Sequence, residues 1–488
     1  MPHQHKTLLK YLISGTTAAF TNFGLYFIFT RILNWYYLTA YVASVFGAFW
    51  VSFILQKFWT FNNKDTDQIN RQIGLYVLVN IGSLIVTTAG MYIFVSLLHL
   101  WDALALVVTS LGIAFCTFFI NKLFVFKAEH HGGKETIVLA VPNYPPEPGG
   151  VATHAQKYRE EFEKAGHLVH LVVASHMPKL PPPLNHIIFA FTVFLEAVGA
   201  DMIYVMDTVS SGPAAYVAWL LRKPYVIRIG GDVVWERAAE KGKTTKSCLE
   251  FYKTEKYQAF RFYSITKFVL THAEKVIVPC DLLKTLYVTY YSVPSEKIIL
   301  VPNPLPTHPT PNPSPKGRVE KSVVFASRLV SYKNLELVTK AFATIDATFY
   351  ILGDGPEKQK LEARRSELGD RVKILGTVSR SEKDEYLKKC MLTVAPALTE
   401  FNPNYVLEGF TFCKPTLMSR ENGLPFTLPE IMLFDPRNEK EFTEKLTYLL
   451  SDAGYAEAQN WVKNLRFAQT WDDVIKKNLE IIKGICEA

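Results

Sequence analysis

The sequence predicts a chain written for two solvents: an α-helical membrane bundle of four transmembrane helices in two parallel repeats, followed by two doubly wound α/β domains. Four uncharged stretches, Tyr11–Thr30, Ile32–Gln56, Gln72–Trp101 and Ala103–Asn121, support the first half. A helix rising about 1.5 Å per residue needs roughly 20 residues to cross the hydrocarbon core, and each stretch is about that long or longer. A ten-residue segment closing the second stretch returns at the end of the fourth. Beyond about Ala128, short apolar runs alternate with amphipathic stretches, the pattern of a parallel sheet covered by helices.

The repeat reads Ser52-Phe53-Ile54-Leu55-Gln56-Lys57-Phe58-Trp59-Thr60-Phe61 and then Thr117-Phe118-Phe119-Ile120-Asn121-Lys122-Leu123-Phe124-Val125-Phe126. The same offset brings Tyr11 onto Tyr76. Two spans per repeat is an even number, so both copies must sit the same way up. Lys6, Lys10, Lys57, Lys64, Arg71, Lys122, Lys127 and Lys134 flank one side, against Arg31 and Asp102 on the other. Positive charge marks the cytoplasmic face, so the expected protein is a multi-pass inner-membrane protein with both termini and the α/β half in the cytoplasm. Trp35, Tyr36, Tyr37, Trp59 and Trp101 sit at span ends, where amphipathic rings prefer the headgroups. The first span lacks a basic leader and a small-residue cleavage pattern, against a removed signal peptide. The six cysteines show no paired spacing, which fits a reduced compartment and no structural metal. The net charge of +8 fits anchoring to anionic lipid; no basic run points to nucleic acid.

In the second half, strands are expected at Thr136–Val141, Leu168–Val173, Met202–Met206, Tyr225–Ile229, Val276–Val278 and Ile298–Val301. A helix from Val151 to Ala165 follows the Gly149-Gly150 loop. Six prolines between Pro304 and Pro315 exclude a helix or inner strand and read as a linker. The alternation restarts at Ser322–Ala326, Thr348–Leu352, Val372–Leu375, Leu392–Ala397 and Thr416–Ser419. The expected domains are 1–130 in the membrane, 131–304 joined by a C-terminal helix in 470–488, a linker at 305–320, and 321–469. Two such domains imply a cleft, a common place for a ligand.

The segment from Pro396 to Glu408 follows a buried strand, where ligands gather in open α/β sheets. Asn402 is a good N-cap and Pro403 suits the first helical position, so a helix should run to about Cys413. Glu400 then lies in the loop and Glu408 on the helix. Free N–H groups at that helix start, near Asn402 and Asn404, can hold phosphate. Arg328 and Lys333, after the strand Ser322–Ala326, supply cations for the charge that grows on a departing diphosphate. Gly353-Asp354-Gly355 is another strand-to-helix turn.

The span pattern and the closing signatures at Lys57–Phe61 and Lys122–Phe126 resemble the GtrA-like membrane family over about Leu8 to Lys127. That family is associated with polyprenyl-phosphate-linked sugars and with moving them across membranes; a plain anchor is the alternative. Asn22, Asn80, Thr87 and Thr88 could line a sugar path, though such residues more often bond helix to helix. From Thr136 onward, Ser327-Arg328-Leu329 with Lys333, the Gly353–Gly355 turn, Val301-Pro302-Asn303, Gly149-Gly150 and the glutamates at 400 and 408 together resemble a GT-B glycosyltransferase of family 4.

The resemblance implies that Arg328 and Lys333 bind the diphosphate of a nucleotide sugar. It implies Glu400 facing the sugar, Glu408 accepting from the ribose, and Gly149 and Gly150 approaching the phosphate from the other domain. Family members retain anomeric configuration and use no metal or other cofactor; the soluble half has no Asp-x-Asp motif, and Asp65 and Asp67 lie between spans. One departure stands out: relatives carry a histidine where this chain has Gly230-Gly231-Asp232. Asp232 is expected to face the donor, with helix capping as the plain alternative. Solvated charges are the plain alternative for Glu400 with Glu408 and for Arg328 with Lys333. His186–Ala200 is read as core, and the aromatic, basic stretch Phe251–Lys275 as docking on the leaflet. The function expected is sugar transfer from a nucleotide donor to a polyprenyl-phosphate type acceptor. A transporter whose soluble half only binds sugar is the rival. Sugar, base and oligomeric state stay open, a homo-oligomer being considered because four spans are few to enclose a path.

Overall fold

The computed structural model describes residues 3–63, 69–99, 101–126, 135–147, 149–181, 184–304, 321–364, 369–467 and 469–487. The proline-rich linker at 305–320, Lys64, Asp65, Asp67, Lys127 and Lys134 lie outside the described residues. Two compact units emerge: Met1–Val138 with Gly166–Val172 and Phe191–Asp201, and Leu139–Ala165 with Val173–Ala190 and Met202–Ala488.

The first unit holds helices α1 (His3–Phe27), α2 (Tyr37–Ile54), α3 (Ile69–Met91) and α4 (Asp102–Ile120), each continued by a π-helical turn. Thr7–Ile32, Tyr37–Thr60 and Ile69–Ser96 are long and apolar enough to cross a membrane. The apolar part of α4, Leu104–Ile120, is shorter, so among the described residues three helices rather than four meet that length. Large apolar side chains such as Phe20, Phe23 and Leu84 point outward, as lipid-facing residues must.

Polar bonds inside the bundle follow the duplication. Tyr11 Oη donates to Thr117 Oγ1 at 2.8 Å, and Tyr76 Oη meets Ser52 Oγ at 2.8 Å, so each tyrosine pairs with the other repeat. The two closing amides meet directly, Asn121 Nδ2 donating to Gln56 Oε1 at 3.0 Å. Lys57 is sealed inside, its Nζ donating to Asn63 Oδ1 at 3.0 Å and Gln72 Oε1 at 2.6 Å. In the same unit, Phe191 stacks on Phe115 and Phe194 meets Phe119 edge-on. The helix Leu184–Ala197 is therefore only partly core: Phe189 and Val193 are buried, while its other face meets α4.

Among the described residues, twelve strands form two six-stranded sheets. The first contains β1 (Thr136–Val141), β2 (Leu168–Val173), β3 (Met202–Val205), β4 (Tyr225–Arg228), β5 (Lys275–Val278) and β6 (Ile298–Leu300), in the order β2-β1-β3-β4-β5-β6. The second contains β7 (Ser322–Ala326), β8 (Thr348–Leu352), β9 (Val372–Gly376), β10 (Leu392–Ala395), β11 (Thr416–Ser419) and β12 (Leu433–Phe434), in the order β12-β11-β10-β7-β8-β9. β7, rich in Val and Phe, pairs in parallel with both β8 and β10. Burial on both faces is why these strands read as unbroken apolar runs. In each order the sequence reverses direction beside a central strand, and loops at the carboxyl ends there form a ligand site in such sheets.

The stretch 251–275 does not present its aromatics for docking. Phe251, Tyr252 and Tyr263 are buried, and Tyr252 packs on Tyr257 and Tyr290 while Tyr263 packs on Tyr291. Stacking on one another satisfies rings that the sequence alone left free to meet lipid. The helix Trp471–Cys486 returns to the first sheet, with buried Tyr204 donating to buried Asn478 Oδ1 at 2.6 Å.

Candidate functional site

The loop after β7 carries Arg328, and a single 3-10 turn, Ser331–Lys333, presents Lys333. Its shape depends on two glycines. Gly353 (φ +141°) and Gly355 (φ +154°) pass directly beneath it, and a Cβ on either would collide with the carbonyls of Ser327 or Leu329. Leu329 N–H donates to Asp354 O at 2.9 Å and Glu357 N–H to Leu329 O at 3.0 Å. The Gly353-Asp354-Gly355 turn thus braces the Arg328 loop.

Lys333 and Glu400 come together. Nζ lies 2.5 Å from Oε2, and both side chains are almost closed to solvent. Arg328 Nη2 donates to Tyr332 Oη at 2.9 Å, one residue from Lys333. Glu400 is anchored through its backbone, which accepts from Gly423 N–H at 2.7 Å. Glu408 does not join this pair; it bonds Lys383, 2.6 Å away on the helix Arg380–Lys389.

The helix after Glu400 spans Asn404–Thr411, with Pro403 rather than Asn402 as its cap residue and no side-chain capping bond. Asn402 is occupied elsewhere. Asn303 Nδ2 donates to both Asn402 Oδ1 and Asn404 Oδ1, the second at 2.5 Å. Asn303 Oδ1 accepts from Arg228 Nη2 at 2.9 Å, and Arg228 is itself buried. Gly150 and Gly230 lie against these amides: an added Cβ would sit 3.2 Å from Asn404 Nδ2 and 3.1 Å from Asn402 Nδ2. The loops of the two lobes meet here, and Gly149 (φ +132°) opens the helix Gly150–Lys164 toward them. Burial and the charge of Arg228 push His154 down to about 3, so the ring is neutral.

Against the expectation that Asp232 meets the donor, its carboxylate is fully buried and spoken for. It accepts from Trp235 N–H as an N-cap, and from the hydroxyls of Tyr252 and Tyr291, each at 2.8 Å. Burial still raises its pKa. The group facing the cations is Glu236, one turn on. Burial pushes its carboxyl up to about 7, while Arg328 and Lys333 pull it down. Arg228 and Glu236 escaped the sequence reading, and Asn303 entered it only as part of the Val301-Pro302-Asn303 turn, with no role of its own. An arginine within the otherwise apolar stretch Tyr225–Ile229 was the available signal for the first.

Comparison with known proteins follows the two halves. Residues 10–126 match the model of the GtrA/DPMS transmembrane domain. Residues 310–466 match glycosyl transferases group 1. A phosphatidylinositol N-acetylglucosaminyltransferase subunit from Arabidopsis thaliana is 26% identical over 225 residues, covering 44% of this chain and 50% of that protein. An uncharacterized glycosyltransferase of Methanocaldococcus jannaschii is 25% identical over 134 residues, covering 26% of this chain and 38% of that one. This chain therefore spans half or less of the length of these curated relatives. Among solved structures, sucrose-phosphate synthase from Thermosynechococcus elongatus superposes with a TM-score of 0.56 at 15% identity, covering 72% of this chain and 99% of that one. Anabaena HepE in complex with UDP gives 0.52 at 14%, covering 72% and 100%. These likenesses establish the GT-B fold. The chain fuses a GtrA/DPMS transmembrane domain to a group 1 glycosyltransferase domain.

Proposed function

We propose that this protein is a membrane-bound glycosyltransferase that moves a sugar from a nucleotide-diphosphate donor to a polyprenyl-phosphate type acceptor at the cytoplasmic face of the inner membrane. The reaction retains anomeric configuration and uses no metal. α4 is the fourth span, and both termini are cytoplasmic. The first lobe receives the acceptor and the second holds the donor. The observation that carries the reading is the buried Lys333–Glu400 pair beside Arg328.

An ammonium has three N–H donors, so Lys333 can keep Glu400 and still donate to a diphosphate. Arg328 offers a planar fork to the same group. As the bond from the anomeric carbon to the diphosphate breaks, its electron pair goes to the leaving oxygen, where these cations stabilise it. The acceptor oxygen forms the new bond to that carbon. Glu400 holds Lys333 in place and lies beside the sugar. Glu408, released from Lys383, accepts from the ribose. Asp232 positions the helix that carries Glu236. Solved neighbours named with UDP support a nucleotide donor, and the fused membrane domain supports a lipid acceptor.

The test is transfer by the purified full chain in nanodiscs, given radiolabelled nucleotide sugars and polyprenyl phosphate. Labelled product in the lipid phase is expected. Failure of every donor to yield either transfer or hydrolysis, with folded protein, would sink the reading.

A further inference from the structure

Glu421 sits in the loop after β11, in the second lobe, and its carboxylate takes three donors. Oε1 accepts from Thr399 Oγ1 at 2.7 Å and from Leu249 N–H at 3.0 Å, while Oε2 accepts from Ser247 Oγ at 2.7 Å. Thr399 belongs to the loop that carries Glu400, whereas Ser247 and Leu249 open the helix Cys248–Thr254 of the first lobe. Thr399 Oγ1 also accepts from Cys248 N–H at 2.8 Å, and both residues are buried. Ser247 gives its helix no side-chain cap, so the N–H groups of Cys248 and Leu249 are satisfied by the opposite lobe.

The main chain beside that carboxylate holds Glu400. Glu400 N–H donates to Glu421 O at 3.1 Å, Gly423 N–H donates to Glu400 O at 2.7 Å, and Glu400 pairs in parallel with Asn422. Leu398 N–H donates to Tyr332 O at 2.9 Å, which ties the same loop to the Lys333 turn. Gly423 leaves no spare room: a Cβ there would lie 2.2 Å from Phe401 O and 2.9 Å from Cys280 Sγ of the first lobe. Glu421 is thus bound by its side chain to the first lobe and by its backbone to the carboxylate that holds Lys333. Bonds to an ionised acceptor are roughly twice as strong as neutral ones, and two of these three exist only while the lobes touch.

We propose that Glu421 is a positioning residue that couples contact between the lobes to the placement of Glu400. With the lobes together, three donors fix its carboxylate and the Glu400 loop is braced against the Lys333 turn. When they part, Ser247 and Leu249 leave Glu421, and Cys248 leaves Thr399. The loop keeps its backbone bonds but loses its brace, so Glu400 and Lys333 are no longer preset for sugar and diphosphate. The consequence for turnover rests on the transfer reading; the coupling itself does not. A second link between the lobes, the exposed pair Arg437–Glu250, serves as control, because the other side-chain bond of Arg437 goes to Asp435 rather than to the Glu400 loop.

The experiment uses the full chain in nanodiscs and the variants Ser247→Ala, Glu421→Gln and Arg437→Ala. Amide hydrogen exchange is read by mass spectrometry on peptides covering Cys248 with Leu249, Glu400, and Gly423. Ser247→Ala alters the first lobe alone, yet it should speed exchange at Glu400 and Gly423 about ten-fold, the worth of one hydrogen bond to a charged group. Glu421→Gln should do at least as much, and the two together should give less than the sum. Arg437→Ala should leave these amides unchanged. With the radiolabelled nucleotide sugars of the transfer assay, Ser247→Ala should lower kcat about ten-fold and keep KM for the donor within about two-fold, the signature of an interaction made only in the reacting complex. A merely structural cap would speed exchange at Cys248 and Leu249 alone. That result, an unchanged kcat in active enzyme, an equal effect of Arg437→Ala, or a rise of the same size across β7 would overturn the proposal. If the wild type transfers no sugar, the transfer reading fails and the exchange measurement alone decides the coupling.

Discussion

Lys333 and Glu400 neutralise one another at 2.5 Å in a setting almost without water, although 67 residues separate them. Neither charge can be removed without stranding the other. Breaking a buried pair from one side costs about 3–5 kcal/mol, far more than the pair's net contribution to stability.

Lys333→Ala should therefore lower thermal stability and cut turnover about 10²–10³-fold, the loss typical of one preorganised donor. Adding Glu400→Gln should restore much of the stability and none of the turnover. Calorimetry and steady-state rates on the two single variants and the double variant separate these effects. Equal destabilisation in the double variant and Lys333→Ala would show that the ion pair is not what holds this loop.

Gly353→Ala places a methyl group into the Ser327 carbonyl at a φ of +141°. The expected strain is about 1–3 kcal/mol, and the displaced segment carries Arg328. Donor affinity should fall together with stability. Gly369→Ala is the control, since Gly369 has φ +69° and open space around it. It should lower stability modestly and leave affinity intact, as read by titration calorimetry beside unfolding curves.

Glu236 titrates at about 7, above the ordinary carboxylate value of 4.5. Between those values the folded chain holds a proton that the unfolded chain has lost. Its stabilising contribution is complete below about 4.5 and is lost as pH rises to 7. Above pH 7 the ionised carboxylate competes for Arg328 and repels a diphosphate. Affinity for a nucleotide sugar should fall as pH rises through 7, by at most about ten-fold per unit. Glu236→Gln should flatten that profile. An unchanged profile in the variant would assign the titration elsewhere.

The parallel strands were legible because burial on both faces leaves an unbroken apolar run: Thr136–Val141 and Ser322–Ala326 have the same bounds in sequence and structure. The duplication was legible for a related reason, since Tyr11, Tyr76, Gln56 and Asn121 each need a partner inside lipid. Side-chain direction was not legible. Asp232 and Glu236 both follow a glycine loop, and only the fold decides which is swallowed by Tyr252 and Tyr291 and which faces Arg328. Asn402 reads as a cap in isolation, yet an amide from the other lobe, Asn303, takes its oxygen. The two-residue strand Leu433–Phe434 left no periodic signal at all.

The bond from Tyr204 to Asn478 joins positions 274 residues apart. Synthesis delivers β3 long before the helix that completes its surroundings. While the ribosome is still translating the second lobe, the first has an open flank where Trp471 will later meet His154. That lobe must wait, and a nascent chain stalled before residue 470 would expose the flank to chaperones rather than to its own terminal segment.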